Sequence, residues 1–195
     1  MDDLVAGAAT LAQRLLDAPE LADRWTHVQA VAKRAADLAP TVDVADRELL
    51  VAAAWLHDVG YAPALRATGM HSIDGARYLL RQGYPMRLAA LVAHHTGARF
   101  EAVERQLVYE IDDFPLERGS VTDALATADL TTGPQGQPMT FQGRLAEILR
   151  RYPVDSPVHK AMRRARRTLA AQVRRTTNRL AGATVNRPWT LAGDP

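Results

Sequence analysis

Apolar residues in this chain recur at the spacing of a helix and almost nowhere at the spacing of a strand. Leu4, Ala8, Leu11, Leu15 and Leu16 stand three or four apart, which lines one face of a helix over 4–17. Pro19 punctuates that stretch. A second helix is predicted over 20–38, stopped by Pro40 because the residue before a proline is pushed out of helical geometry. The very apolar segment 44–56 reads as a helix buried on most sides. Further helices are predicted over 72–81, 85–95, 120–130, 141–151 and 156–180, with Pro85 suited to a first helical position. Ser120 and Asp123 have the spacing of a capping box with the shorter acid. The Gly- and Pro-rich segment 132–138 reads as a flexible loop. Alternating β-branched runs are missing and aromatics are 6% of residues, so the expected fold class is all-α, a compact helical bundle.

The 195 residues suit one domain with a core that needs no staples. We divide them into a domain over 1–155, a basic amphipathic helix over 156–181 packed on it, and a loose tail over 182–195. The net charge of +2 hides an asymmetry: residues 1–159 hold 15 Lys+Arg against 21 Asp+Glu, whereas residues 160–195 hold 9 against Asp194 alone. In the basic helix, Ala161, Met162, Ala165, Leu169, Val173 and Leu180 recur at helical spacing. The favoured reading is therefore a helix packing on an acidic body with a solvated basic face, ahead of nucleic-acid binding; aromatics interleaved for base stacking are missing. The acidic start Met1-Asp2-Asp3-Leu4 is unlike a secretory signal, and no stretch approaches the roughly 20 apolar residues of a membrane span, so the expected location is the cytoplasm. With no cysteine, thiol nucleophiles, iron–sulfur clusters and Cys-ligated zinc are excluded. Any metal must rest on His, Asp and Glu, which favours iron, manganese, zinc or magnesium.

Those residue types occur where they are costly. His27 lies mid-helix among small and apolar neighbours. His57 and Asp58 end a very apolar helix, just where Val59-Gly60 turns the chain and lets adjacent side chains converge. Asp129 sits in Ala124-Leu-Ala-Thr-Ala-Asp-Leu130. A carboxylate buried there needs a cation or hydrogen bonds to offset its lost hydration. A metal ion is the most economical common partner for His27, His57, Asp58 and Asp129. Each has a plainer reading: a capped helix end for His57-Asp58, a carbonyl-bonded core histidine for His27, an arginine pair for Asp129. His159, after Pro157, reads as structural or solvated.

The order His…His-Asp…Asp on separate helices resembles the HD superfamily of metal-dependent phosphohydrolases. The matching stretches are Arg24-Trp-Thr-His27, Leu56-His-Asp-Val-Gly60 and Ala128-Asp129, and the likeness covers about residues 20–135. His71 and the pair His94-His95 add the extra histidines of the dinuclear subgroup. The resemblance implies that His27, His57 and Asp129 hold one ion, that His71 with His94 or His95 holds a second, and that Asp58 bridges them. His95-Thr-Gly97 is also similar to bacterial HD-type diadenosine tetraphosphate hydrolases. Two features depart from the pattern. Tyr61 stands where many HD enzymes carry a lysine, and Gly83-Tyr84-Pro85 matches a cyclic-di-GMP phosphodiesterase tripeptide in the wrong place.

The resemblance implies a phosphohydrolase acting on a nucleotide or other small phosphate ester, with His57 and Asp58 catalytic. Two divalent ions (Fe, Mn, Mg or Zn) about 3.5–4 Å apart would supply a metal-bound hydroxide to attack phosphorus. Phosphate oxygens need cationic donors, and Lys33, Arg34, Arg66, Arg77 and Arg99 are candidates by sequence proximity. The rival readings are a dinuclear-iron oxygenase on the same scaffold and a non-catalytic nucleotide-sensing module.

Overall fold

Residues 4–185, those described by a computed structural model, form ten α-helices linked by short 3₁₀ turns, with no strand among them. Helices α1 (Leu4–Leu16) and α2 (Ala22–Leu38) pack on α3 (Arg47–Leu56), and α5 (Met86–Ala93) and α8 (Ser120–Leu130) close the bundle. The core is fine-grained: Ala32, Ala35, Ala52, Ala53, Ala89 and Ala124 let the helix axes come close, and Leu16, Leu38, Leu50, Leu88 and Leu125 fill between them. Helix α4 (His71–Arg81) lies on α5 and on the turn Val59–Tyr61. Helices α6 (Ala98–Arg105), α7 (Val108–Asp112) and α9 (Phe141–Arg151) follow, and α10 (Pro157–Val185) lies across α6, α8 and α9. A second apolar cluster of Leu130, Phe141, Leu145, Ile148, Met162, Ala165 and Leu169 seals that seam.

Several local expectations are corrected. The starts of the helices predicted over 20–38 and 44–56 are the 3₁₀ turns Pro19–Leu21 and Val44–Asp46. The helix predicted over 85–95 ends at Ala93, because Thr96 and Gly97 take left-handed φ values of 43° and 78°. No capping box forms at Ser120. The Asp123 carboxylate instead accepts from Arg175 and Arg179 of α10, 52 and 56 residues away. The segment read as a flexible loop is a closed turn, in which Gly133 N–H donates to Gln137 O at 2.7 Å and a bridge joins Thr132 to Pro138. The helix predicted over 156–180 continues to Val185, and the rest of the expected tail, 186–195, lies outside the described residues. Among the described residues no helix is long and apolar enough to cross a membrane.

Candidate metal centre

Five elements aim their chemistry at one point. His27 projects from the middle of α2, His57 and Asp58 follow α3, His71 opens α4, His95 follows α5 and Asp129 closes α8. Three of the imidazoles are clamped by backbone carbonyls. His27 Nδ1 lies 2.9 Å from Gly133 O, His57 Nδ1 2.7 Å from Ala54 O, and His95 Nδ1 2.6 Å from Val92 O. A carbonyl only accepts, so each Nδ1 carries the hydrogen and each Nε2 is left to face the site.

These Nε2 atoms meet carboxylates and one another. His27 Nε2 is 3.1 Å from Asp129 Oδ1, and His71 Nε2 is 3.3 Å from Asp58 Oδ1 and 3.2 Å from His95 Nε2. His57 Nε2 is buried without a hydrogen-bond partner, although Asp58 Oδ2 is 3.3 Å away in unsuitable geometry. Two three-donor groups result, His27–His57–Asp129 and Asp58–His71–His95, each with its donor atoms within 4.8 Å of one another. Asp58 links them, one oxygen toward His71 and the other toward His57. With Nδ1 protonated, Nε2 lone pairs face carboxylate oxygens and one another, a repulsion that a shared proton or a metal ion relieves. Two donors about 2.1 Å from one ion, at angles between octahedral and tetrahedral, stand about 3.0–3.4 Å apart. The separations of 3.1, 3.2 and 3.3 Å fit that arrangement, and His95 Nε2 to Asp58 Oδ1, at 3.8 Å, is the long one. These separations fit a divalent ion at Asp58–His71–His95 and at the His27–Asp129 pair, with His57 within 4.8 Å of that pair.

The electrostatics agree with ligation. Burial alone would raise the carboxyl of Asp58, but Arg24 and His57 hold it well below the usual range. Asp129 is likewise depressed against burial, chiefly by the His27 hydrogen bond and the nearby His57 charge. Burial and the neighbouring imidazoles push His95 down to about 4. Both carboxylates are thus ionised and His95 neutral at physiological pH, the states a metal requires. His57 is raised: burial opposes its charge, and Asp58 and Asp129 more than offset it.

His94 joins neither group. It is turned away, and its Nε2–H donates to Phe114 O at 2.8 Å. The cations expected around phosphate are also mostly elsewhere. Lys33 is exposed on α2, Arg77 pairs with Asp113, and Arg99 pairs with Asp112. Arg66 lines a 320 Å³ lobe beyond Tyr61 and His71, donating to Tyr61 O. The cavity directly over the donor groups is lined instead by Arg24, Arg144 and Arg151. Arg24 Nη1 donates to Asp58 Oδ2 at 2.5 Å, and its guanidinium sits 4.0 Å over the Tyr61 ring. Tyr61 in turn stacks on His71 with centroids 4.1 Å apart. The residue that departs from the lysine pattern thus wedges between an arginine and a donor imidazole. Sequence reasoning also missed Thr96, whose hydroxyl donates to Asp129 Oδ2 from a left-handed backbone. Usable signals existed: Arg24 precedes His27 by one helical turn, and Arg144 and Arg151 are two turns apart on one face of α9. His159 is buried and bonded to Tyr152 O, a structural role.

An all-α fold that brings clustered imidazoles and carboxylates together from separate helices is that of a helical protein able to hold divalent metals. A family model of the HD domain matches residues 24–128, more than half of the chain, and the chain belongs to that family. HD domains bind divalent metals and typify a superfamily of metal-dependent hydrolases. Comparison with curated proteins and with solved structures finds no match.

Proposed function

We propose that this protein is a metal-dependent phosphohydrolase acting on a nucleotide or other small phosphate ester. The observation that carries the reading is the pair of neighbouring donor groups, with Asp58 of one reaching His57 of the other, beside a cavity walled by three arginines. His27, His57 and Asp129 would hold one ion, and Asp58, His71 and His95 the other, with Asp58 between them. Bound divalent ions would supply a coordinated water of lowered pKa and positive charge for phosphoryl oxygens.

The chain's own residues do the rest. Backbone carbonyls fix the ring orientation of His27, His57 and His95, so their donor atoms need no reorganisation on binding. Thr96 fixes the rotamer of Asp129. Arg144 and Arg151, both paired with Glu147, would offer their remaining planar donors to phosphate oxygens, and Arg144, only 3% exposed, has a buried Nε without a partner. Arg24 holds Asp58 ionised and keeps its second oxygen oriented.

The test is a hydrolysis screen with Mn²⁺ or Fe²⁺ across phosphomonoesters, phosphodiesters and dinucleoside polyphosphates, beside elemental analysis of the purified protein. The expected results are turnover of at least one class, about two ions per chain, and loss of both in His57→Ala and Asp58→Ala. Absence of turnover in every class, or oxygen consumption by an iron-loaded protein, overturns the reading.

A further inference from the structure

The turn 94–97 has two sides. His95 and Thr96 face the metal groups, whereas His94 and Gly97 line a separate pocket of about 640 Å³ under α10. That volume exceeds the roughly 80 Å³ cavity over the donor groups and falls within the roughly 300–1,000 Å³ of small-ligand cavities. Its lining is amphipathic. Phe100, Leu116 and Leu169 supply apolar surface, and Leu116 remains 40% exposed.

Around that surface the positive charge is in excess. Asp123, 2% exposed, is shared by Arg175 and Arg179, one anion between two guanidiniums that stay about half and one-third exposed. Glu117 is drawn off by Arg87, and Arg99 by Asp112. Arg118 lines the same pocket, is exposed, and makes no ion pair among the described residues.

We infer that this pocket is a second binding site, for a small organic anion with an aromatic or other apolar body and an acidic group. The apolar body lies against Phe100, Leu116 and Leu169. The acidic group meets Arg118 and the exposed edges of Arg175 and Arg179. The site is independent of the metal chemistry and does not rest on the hydrolase reading.

The probe is 8-anilinonaphthalene-1-sulfonate, which has two ring systems and a sulfonate; N-phenyl-1-naphthylamine is its uncharged counterpart. Fluorescence titration of the full chain should show saturable 1:1 binding of the sulfonate, at least tenfold tighter than the uncharged compound. Arg118→Glu should weaken it at least fivefold. Gly119→Trp fills the mouth from a position where an added Cβ meets nothing within 4 Å, and should abolish it. Arg151→Gln, in the other cavity, should leave binding unchanged. Binding that is unsaturable, equal for the uncharged compound, unaffected by both pocket variants, or weakened as much by Arg151→Gln overturns the inference.

Discussion

Replacing Gly60 by alanine probes how tightly the donor groups depend on backbone contact. Gly60 is not a positive-φ position, so its requirement is for space alone. An alanine Cβ there would lie 1.9 Å from His71 O and 2.7 Å from Gly75 N, both backbone atoms of α4, where ordinary contact begins at 3.4 Å. The two segments must part by about 1.5 Å to relieve the worse clash. Helix α4 cannot yield freely, since Ile73, Ala76 and Leu79 are fully buried. Overpacking against such a neighbour costs about 3 kcal/mol, the upper part of the usual range. For a chain of this length that lowers Tm by about 6–12 °C. The shift also carries His71 away from Asp58 and His95, which now lie 3.3 and 3.2 Å from it, while His27, His57 and Asp129 stay in place. Differential scanning calorimetry and elemental analysis after manganese loading should therefore show a lower Tm together with loss of about one ion per chain. Gly119→Ala, with open space around its Cβ, is the control and should match wild type. A Gly60→Ala protein with wild-type Tm and metal content would refute the reasoning.

Arg24→Ala strands the buried Asp58 carboxylate and should cost about 3 kcal/mol in chelated protein, at the low end for a buried pair because Arg24 is 20% exposed; metal-loaded protein should lose clearly less, and equal losses in thermal melts with and without chelator count against the ligand role of Asp58. A metal must displace the proton that Asp58 and Asp129 favour on His57, whose pKa is raised, so Mn²⁺ affinity should be full above that raised value and fall up to about tenfold per pH unit below it. Titration at pH 6 and pH 8 checks this, and a flat profile contradicts it. Asp123→Ala frees two guanidiniums that can rehydrate, for about 1 kcal/mol, whereas removing both Arg175 and Arg179 leaves a buried carboxylate unpaired, for about 3–5 kcal/mol. Equal urea midpoints for the two variants would rule that asymmetry out.

The clustered imidazoles and carboxylates were readable from sequence because their cost is local. An imidazole or carboxylate inside Trp25-Thr-His-Val or Ala124-Leu-Ala-Thr-Ala-Asp sits among residues bound for a core, where it needs hydrogen bonds or a compensating charge. Helical periodicity did the same for most of the fold, and it failed where the deciding partner is distant. Asp123 has the local pattern of a cap, but its carboxylate goes to α10. The 132–138 segment has loop composition, but its Gly133 carbonyl is held by a histidine 106 residues away. Helices α6 and α7 carry apolar faces too short to read as stripes. Cations show the limit most clearly. The chain has 24 Lys and Arg, and an arginine costs little anywhere on a surface, so neighbouring residues give no hint of which ones turn inward. Choosing by nearness to the motif selected Lys33, Arg77 and Arg99, which are exposed or paired at the surface. What distinguishes Arg144 is burial, and burial arises only when α9 and α10 fold over the donor groups. A donor set can therefore be inferred from one sequence because its members conflict with their neighbours, whereas an arginine in the cavity wall agrees with its neighbours and is recognised only by what the fold places opposite it.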